Sequence, residues 1–151
     1  MIELKPYQSG DHQKVKARDI FGLKDLSFFG DQVELLANDK RCRIISVHND
    51  DEIIAVIGIS VIGPGLGEVW SITSDGVMDQ PVSFHKSVLS ALNVFIDRLK
   101  LHRVQATVRY DFPKGYRWLK SLGFYPEGIM LKYDADGNDH ILFARCSWLV
   151  E

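Results

Sequence analysis

The sequence predicts an α/β fold, a mixed and mostly antiparallel β-sheet flanked by helices. Three observations carry that prediction. The first is a long amphipathic helix from Pro81 to Lys100, in which Val88, Leu89, Leu92, Phe95, Ile96 and Leu99 recur at helical spacing and build one wide apolar stripe. The second is the β-branched run Ile53–Ile62, apolar almost throughout, which reads as a strand buried on both faces. The third is the order of elements: strand, two helices, three strands, helix, strand, helix, two strands. A β-meander interrupted by crossover helices implies a mixed sheet with helices packed on its faces.

The elements follow in chain order. Ile2–Leu4 is a short first strand, stopped by Pro6. Asp11 caps a helix running through Val15 to about Ile20, and Gly22 breaks it. A second helix spans about Leu26 to Ala37, with Val33, Leu35, Leu36 and Ala37 forming its apolar face. Arg43–His48 is a strand, and Asn49-Asp50-Asp51-Glu52 is a polar hairpin turn, because Asn and Asp tolerate left-handed backbone. After Ile53–Ile62, Gly63-Pro64-Gly65 turns the chain into a fourth strand, Glu68–Thr73, with Trp70 and Ile72 on one face. Pro81 suits the first turn of the long helix, where no backbone donor is needed. The fifth strand is Val104–Arg109; Tyr110–Tyr125 then holds a short aromatic helix, closed by Leu122-Gly123-Phe124. Ile129–Tyr133 is expected to pair with the fifth strand, and Ile141–Cys146 to close the sheet.

Composition narrows the class. The 151 residues suit one domain spanning 1–151, with no internal repeat or linker, and 46% hydrophobic against 25% charged residues is the balance of a globular chain with a core. The 18 Lys and Arg against 20 Asp and Glu give a formal net charge of -2, which supplies no electrostatic reason to expect nucleic acid or an anionic membrane as partner. Cys42 and Cys146 lie far apart in apolar runs and read as buried free thiols, which points to a reducing, cytoplasmic setting. The N-terminus has neither the basic nor the apolar region of a secretory signal, and no apolar run is long enough to span a bilayer.

The segment Tyr-Asp-Phe-Pro-Lys-Gly-Tyr-Arg-Trp-Leu-Lys-Ser-Leu-Gly-Phe-Tyr at Tyr110–Tyr125, taken with the order of elements, resembles the GNAT superfamily of acyl-CoA-dependent N-acyltransferases over nearly the whole chain. More narrowly, Trp70-Ser71-Ile72-Thr73-Ser74-Asp75 and Arg117-Trp118-Leu119-Lys120-Ser121-Leu122-Gly123 resemble a bacteriophage group that includes the T7-type internal virion protein and related prophage proteins. The resemblance implies splayed fourth and fifth strands, with acyl-CoA between them as co-substrate and an amine of a small molecule or protein as acceptor. The free edge of the fourth strand, Ser71, Ile72 and Thr73 with Ser74 after them, would hydrogen-bond the pantetheine arm as an added strand does. The loop Asp75–Ser83, through Gly76, Gln80, Val82 and Ser83, would gather backbone N–H groups around the pyrophosphate. Asp111 is the polar residue nearest the place where the family carries an Asn.

For chemistry, the resemblance implies Glu68 as the base and Tyr116 as the acid that protonates the leaving thiolate. The family tyrosine itself falls on Leu119, one helical turn from Tyr116. In the phosphate loop, Gln80 matches the family pattern, Pro81 removes a donor, and Phe84 and His85 stand where glycines would let the backbone approach phosphate. A rival reading follows from these departures: a phage protein that keeps the fold without turnover and acts as a virion component or by binding a host protein.

Other motifs read as structure. The basic-aromatic run Lys114–Lys120 puts Trp118, Leu119 and Leu122 on an inward face and its cations on the wet one, so a nucleic-acid surface is not expected. Asp134-Ala135-Asp136-Gly137-Asn138-Asp139 begins like a calcium loop but lacks the distal Glu and reads as a hairpin turn. The histidines show no metal-ligand spacing, and no metal site is expected.

Overall fold

Seven strands form one sheet in the computed structural model, which describes residues 1–16 and 26–147 (backbone alone for 26–31). The strands are β1 (Ile2–Pro6), β2 (Cys42–Asn49), β3 (Glu52–Gly63), β4 (Leu66–Thr73), β5 (Arg103–Arg109), β6 (Tyr125–Met130) and β7 (His140–Cys146). They lie in the order β1-β2-β3-β4-β5-β7-β6, and every neighbouring pair is antiparallel except β4 and β5. The helices are α1 (Leu26–Ala37), α2 (Pro81–Arg98) and α3 (Pro113–Ser121).

Apolar spacing explains the two layers. Val88 and Leu92 of α2, with Phe84, pack with Leu119 of α3 and Leu122 just after it against Ala55, Ile57, Val104, Ala106 and Phe143 of the sheet. On the opposite face Val33 of α1 packs with Val15, Val56 and Ile72. Every residue from Ile53 to Ile59 is buried, so β3 feeds both layers, as its uniform apolar run predicts. Asn49 and Glu52 pair across the tight Asp50-Asp51 turn, with Asp50 left-handed at φ 54°. Both cysteines are buried and free.

The structure departs from the sequence reading in four places. Pro6 ends β1 from within rather than stopping it earlier; β1 is an outer strand, where a missing N–H costs no ladder bond. The helix expected from Asp11 is a single 3-10 turn, Asp11–Lys14, and Val15 is already extended at φ -81°, ψ 125°. Asp11 does not cap it: its carboxylate accepts from the Ser46 hydroxyl at 2.7 Å and the Gln8 N–H at 3.0 Å. The rest of that expected helix, from residue 17, lies outside the described residues. In α1, Val33 is fully buried whereas Leu35 is 73% exposed, so the apolar face is narrower than expected.

The fourth difference concerns the end of the sheet. β5 pairs with β7 along its length, from Arg103↔Cys146 to Arg109↔His140, and β6 is the outer strand. Ile129, Leu131 and Tyr133, expected to lie in a strand beside β5, are exposed, and that strand ends at Met130. β7, with Phe143 and Ala144 almost wholly buried, takes the central seat; β6, which carries Pro126 and Glu127, takes the edge.

β4 and β5 meet at only three residue pairs: Leu66↔Arg103, Gly67↔Val104 and Glu68↔Gln105. Beyond Glu68 they part, and among the described residues the ladder of β4 from Val69 to Thr73 runs with β3.

Candidate active site

The parted strands open a cleft of about 580 Å³. Its β4 wall includes Glu68, Trp70, Ser71 and Thr73, and its β5 wall Ala106, Thr107, Val108 and Arg109. Phe84 and Val88 of α2 and Gly115, Trp118 and Leu119 of α3 line it from the helical layer. The Phe84 and Trp118 rings stack with centroids 5.7 Å apart, which ties the two helices together beside the opening. Gly115 lets α3 close on β5: a Cβ there would stand 2.5 Å from Phe112 Cδ1 and Val108 Cγ2.

The structure sorts the expected cofactor residues. Ser71 and Thr73 line the cleft, whereas Ile72 points to the other layer and is buried against Val33 and Val56. The buried Ser74 hydroxyl is spent on structure: it donates to the Ile54 carbonyl at 3.0 Å and accepts from the Gly76 N–H at 3.2 Å. Gly76 packs so close to Ile54 that a Cβ would lie 2.8 Å from its Cγ2. Gln80 leads into α2, and its side-chain amide donates to the Asn49 side chain at 3.1 Å. At the start of α2, Pro81 has no N–H and that of Phe84 bonds the Gln80 carbonyl at 2.9 Å. The N–H groups of Val82 and Ser83, both exposed residues, are what this helix end offers an anion. Asp111 is engaged by Arg109, Oδ2 to Nη2 2.8 Å, and that bond holds its carboxyl below the usual range.

The two expected catalytic residues are not brought together. Glu68 stands in the cleft wall, on the face of β4 that also carries Trp70 and Ile72. Tyr116 packs edge-on against the buried Phe143, centroids 5.1 Å apart, and is not among the residues lining the cleft.

Sequence reasoning missed what faces Glu68. Ile141 and Phe143 of β7 join the α2–α3 layer, so alternation sends His140 to the opposite face, shared with Arg109 and Glu68. His140 lines the cleft and its Nε2 lies 3.0 Å from Asp134 Oδ2. Asp134 also accepts from the N–H groups of Asp136 at 3.0 Å and Asn138 at 2.8 Å and from the Asn138 side chain. Burial alone would raise its carboxyl, but these bonds outweigh burial and bring it down to about 2. Tyr133 rests on His140, ring centroids 5.1 Å apart, and burial together with the Glu68 charge raises its phenol. The acidic stretch Asp134–Asp139 is therefore a side-chain clasp on His140. The one signal in the sequence is that His140 directly follows a segment whose first Asp recurs at Asx-turn spacing.

Among the described residues no cluster of three His, Cys, Asp or Glu could hold a metal ion, and no helix is long and apolar enough to cross a membrane. A roomier hollow of about 760 Å³ lies at the other end of the sheet, beside the Asp50-Asp51 turn, and holds none of the expected site residues.

Neither a family model nor a curated protein sequence matches this chain. Solved structures do. A spermidine N-acetyltransferase SpeG chimera from Vibrio cholerae and hSSAT is similar at TM-score 0.77 and 17% identity, over 99% of this chain and 98% of that one. The ribosomal-protein-S5-alanine acetyltransferase from Vibrio fischeri is similar at TM-score 0.73 and 20% identity, over 96% of this chain and 92% of that one. RimJ from Mycobacterium smegmatis, in complex with CoA-disulfide, is similar at TM-score 0.73 and 16% identity, over 99% of this chain and 83% of that one. The fold of this chain, one parallel strand pair parting within an otherwise antiparallel sheet, is the GNAT fold.

Proposed function

We propose that the chain is an N-acyltransferase that moves an acyl group from acyl-CoA, acetyl-CoA first among the donors, to an amine of a small molecule or protein. The observation that carries the reading is the seam: β4 leaves its pairing with β5 after Glu68, and an apolar cleft takes the vacated space. The cleft-side backbone of Ser71–Thr73 would bind the pantetheine arm strand-fashion, with Ser71 and Thr73 in the wall. Val82 and Ser83 would offer their N–H groups to the pyrophosphate, with Gly76 and Gln80 shaping the approach. Glu68, on the far side of the seam, would face the acceptor ammonium and hold it or take its proton.

A second reading keeps the fold without turnover, the chain acting through a phage or host partner. Two placements favour it: Leu119 where the family has its tyrosine, and Tyr116 packed on Phe143 rather than in the cleft. The bacteriophage assignment rests on the Trp70–Asp75 and Arg117–Gly123 stretches alone.

The test is thiol release from acetyl-CoA with spermidine, a small alkylamine and a peptide with a free N-terminal alanine as acceptors. Transfer that falls about 100-fold or more in Glu68→Gln supports the first reading. No transfer, with no CoA binding by calorimetry at millimolar ligand, leaves the second.

A further inference from the structure

We propose that His140 is the side chain that takes the proton from the acceptor ammonium, with Asp134 as its positioning residue. The inference rests on the N-acyltransferase reading and names a catalytic group that reading does not contain.

Its ground is the geometry around one imidazole. Asp134 accepts bonds from two backbone N–H groups and from the Asn138 side chain, and an ionised carboxylate has only lone pairs to offer. The 3.0 Å contact with His140 Nε2 therefore places the ring proton on Nε2 and leaves Nδ1 with a bare lone pair. Nδ1 is shielded from solvent and, among the described residues, has no hydrogen-bond partner. A buried acceptor without a partner is unfavourable unless a donor arrives, and this one belongs to a residue in the wall of the cleft. A base fixed at one ring nitrogen by a carboxylate, with the other nitrogen unmet, is what a general base looks like before its substrate binds.

The surroundings favour this role. Facing His140 are Arg109 across the β5 pairing, engaged by Asp111; Asp134 and Tyr133 from the β6–β7 connection; and Glu68 from β4, whose charge reaches the Tyr133 phenol. The neighbouring Asp139 is occupied by the Lys132 N–H at 3.0 Å. Glu68 would then hold the cation while His140 deprotonates it.

The step balances as follows. The acceptor ammonium gives one proton to His140 Nδ1, and the imidazolium is stabilised by Asp134. The free amine attacks the thioester carbonyl of acyl-CoA, the C–N bond forms and the C–S bond breaks. The second nitrogen proton goes to the CoA thiolate, and His140 returns its proton to water.

The test compares full-length wild type, His140→Gln and Asp134→Asn with acetyl-CoA and the best amine acceptor found. Expected in His140→Gln is a loss of about 100-fold in kcat/KM, carried by kcat, with the KM for acetyl-CoA unchanged. One limb of the wild-type kcat/KM pH profile is expected to vanish in this variant. Asp134→Asn should retain that limb, with a smaller loss carried by kcat. In ¹⁵N NMR of the wild-type chain, without any substrate, His140 should show the tautomer protonated at Nε2. A wild type that transfers acyl groups while His140→Gln keeps its kcat and its pH limb overturns this inference and leaves the activity standing. A His140 protonated at Nδ1 overturns it as well. A wild type that neither binds CoA nor transfers removes the activity and this assignment with it. Equal near-ultraviolet circular dichroism of the variants separates a chemical loss from a folding one.

Discussion

β3 and β7 are both inner strands, one on each side of the β4–β5 seam, yet they are stabilised differently. β3 is held chiefly by burial, with every residue from Ile53 to Ile59 buried. β7 combines burial with polar anchors at its ends. At its start His140 is clasped by Asp134. Near its other end Arg145, 7% exposed, donates to the Asn93 side chain of α2 at 2.6 Å and to the Leu122 carbonyl after α3 at 3.3 Å. Both strands reach the cleft, β3 through Ile57, Gly58 and Ile59 and β7 through His140; the apolar residues are seated by burial, whereas the polar side chain is fixed by directional bonds.

The largest effects test whether the halves fold as one. Phe143→Ala on β7 and Ile54→Ala on β3, both fully buried, should each cost about 3–4 kcal/mol in urea unfolding. Equal slopes with a single transition would confirm one cooperative unit across the three-pair seam; two transitions would show that the seam separates them.

Next is acid. Its hydrogen bonds bring the Asp134 carboxyl down to about 2 in the folded chain, from an ordinary value of 3.8. A depressed carboxyl contributes stability that is present above its unfolded value and is lost as pH falls through its folded one. The wild type should therefore lose about 2 kcal/mol from this group between pH 4 and 2, a slope that Asp134→Asn lacks. Urea midpoints at pH 5, 4, 3 and 2 check it, and parallel curves for the two chains would discard the clasp as a source of stability.

A smaller loss is expected at the other anchor. Asn93→Ala removes the shorter of the two Arg145 bonds and should cost about 1–2 kcal/mol, whereas an alanine at the exposed Ser90 of the same helix should leave the midpoint within about 0.5 kcal/mol. The least effect belongs to Glu127→Gln. Its carboxylate bridges from β6 to Arg103 on β5 at 2.6 Å and is 42% exposed, so solvent screening limits the loss to under about 1 kcal/mol.

The same contrast explains what could be read in advance. β3, α2 and α3 were legible because burial writes a local pattern: period 3.6 in Val88, Leu92 and Ile96, and an unbroken β-branched run in Ile53–Ile59. The parting of β4 from β5 was reached through the Tyr110–Tyr125 resemblance, since no local pattern encodes a gap between strands. The order of β6 and β7 was missed because alternation at Ile129, Leu131 and Tyr133 looks the same whether those residues face a core or solvent, and strand pairing is a long-range choice. The helix from Asp11 was misread because a capping carboxylate and one that reaches Ser46, 35 residues away, are the same letter. His140 was invisible for a related reason: its partner sits in a stretch that composition assigns to a turn, and its neighbour Glu68 lies 72 positions earlier in the chain.

The prolines of the outer strands have a consequence for the protein in concentrated solution. β1 and β6 bound the sheet, and each carries one, Pro6 and Pro126, with the pairing of β6 further disturbed between Pro126 and Gly128. Neither border presents an unbroken row of donors and acceptors onto which a second copy could zip, despite the exposed Tyr125 and Ile129 beside one of them. Growth into fibrils by strand addition is blocked at both ends of the sheet. The edge of β4 beyond Glu68 lies within the cleft, lined by α2 and α3, and not on the border of the sheet.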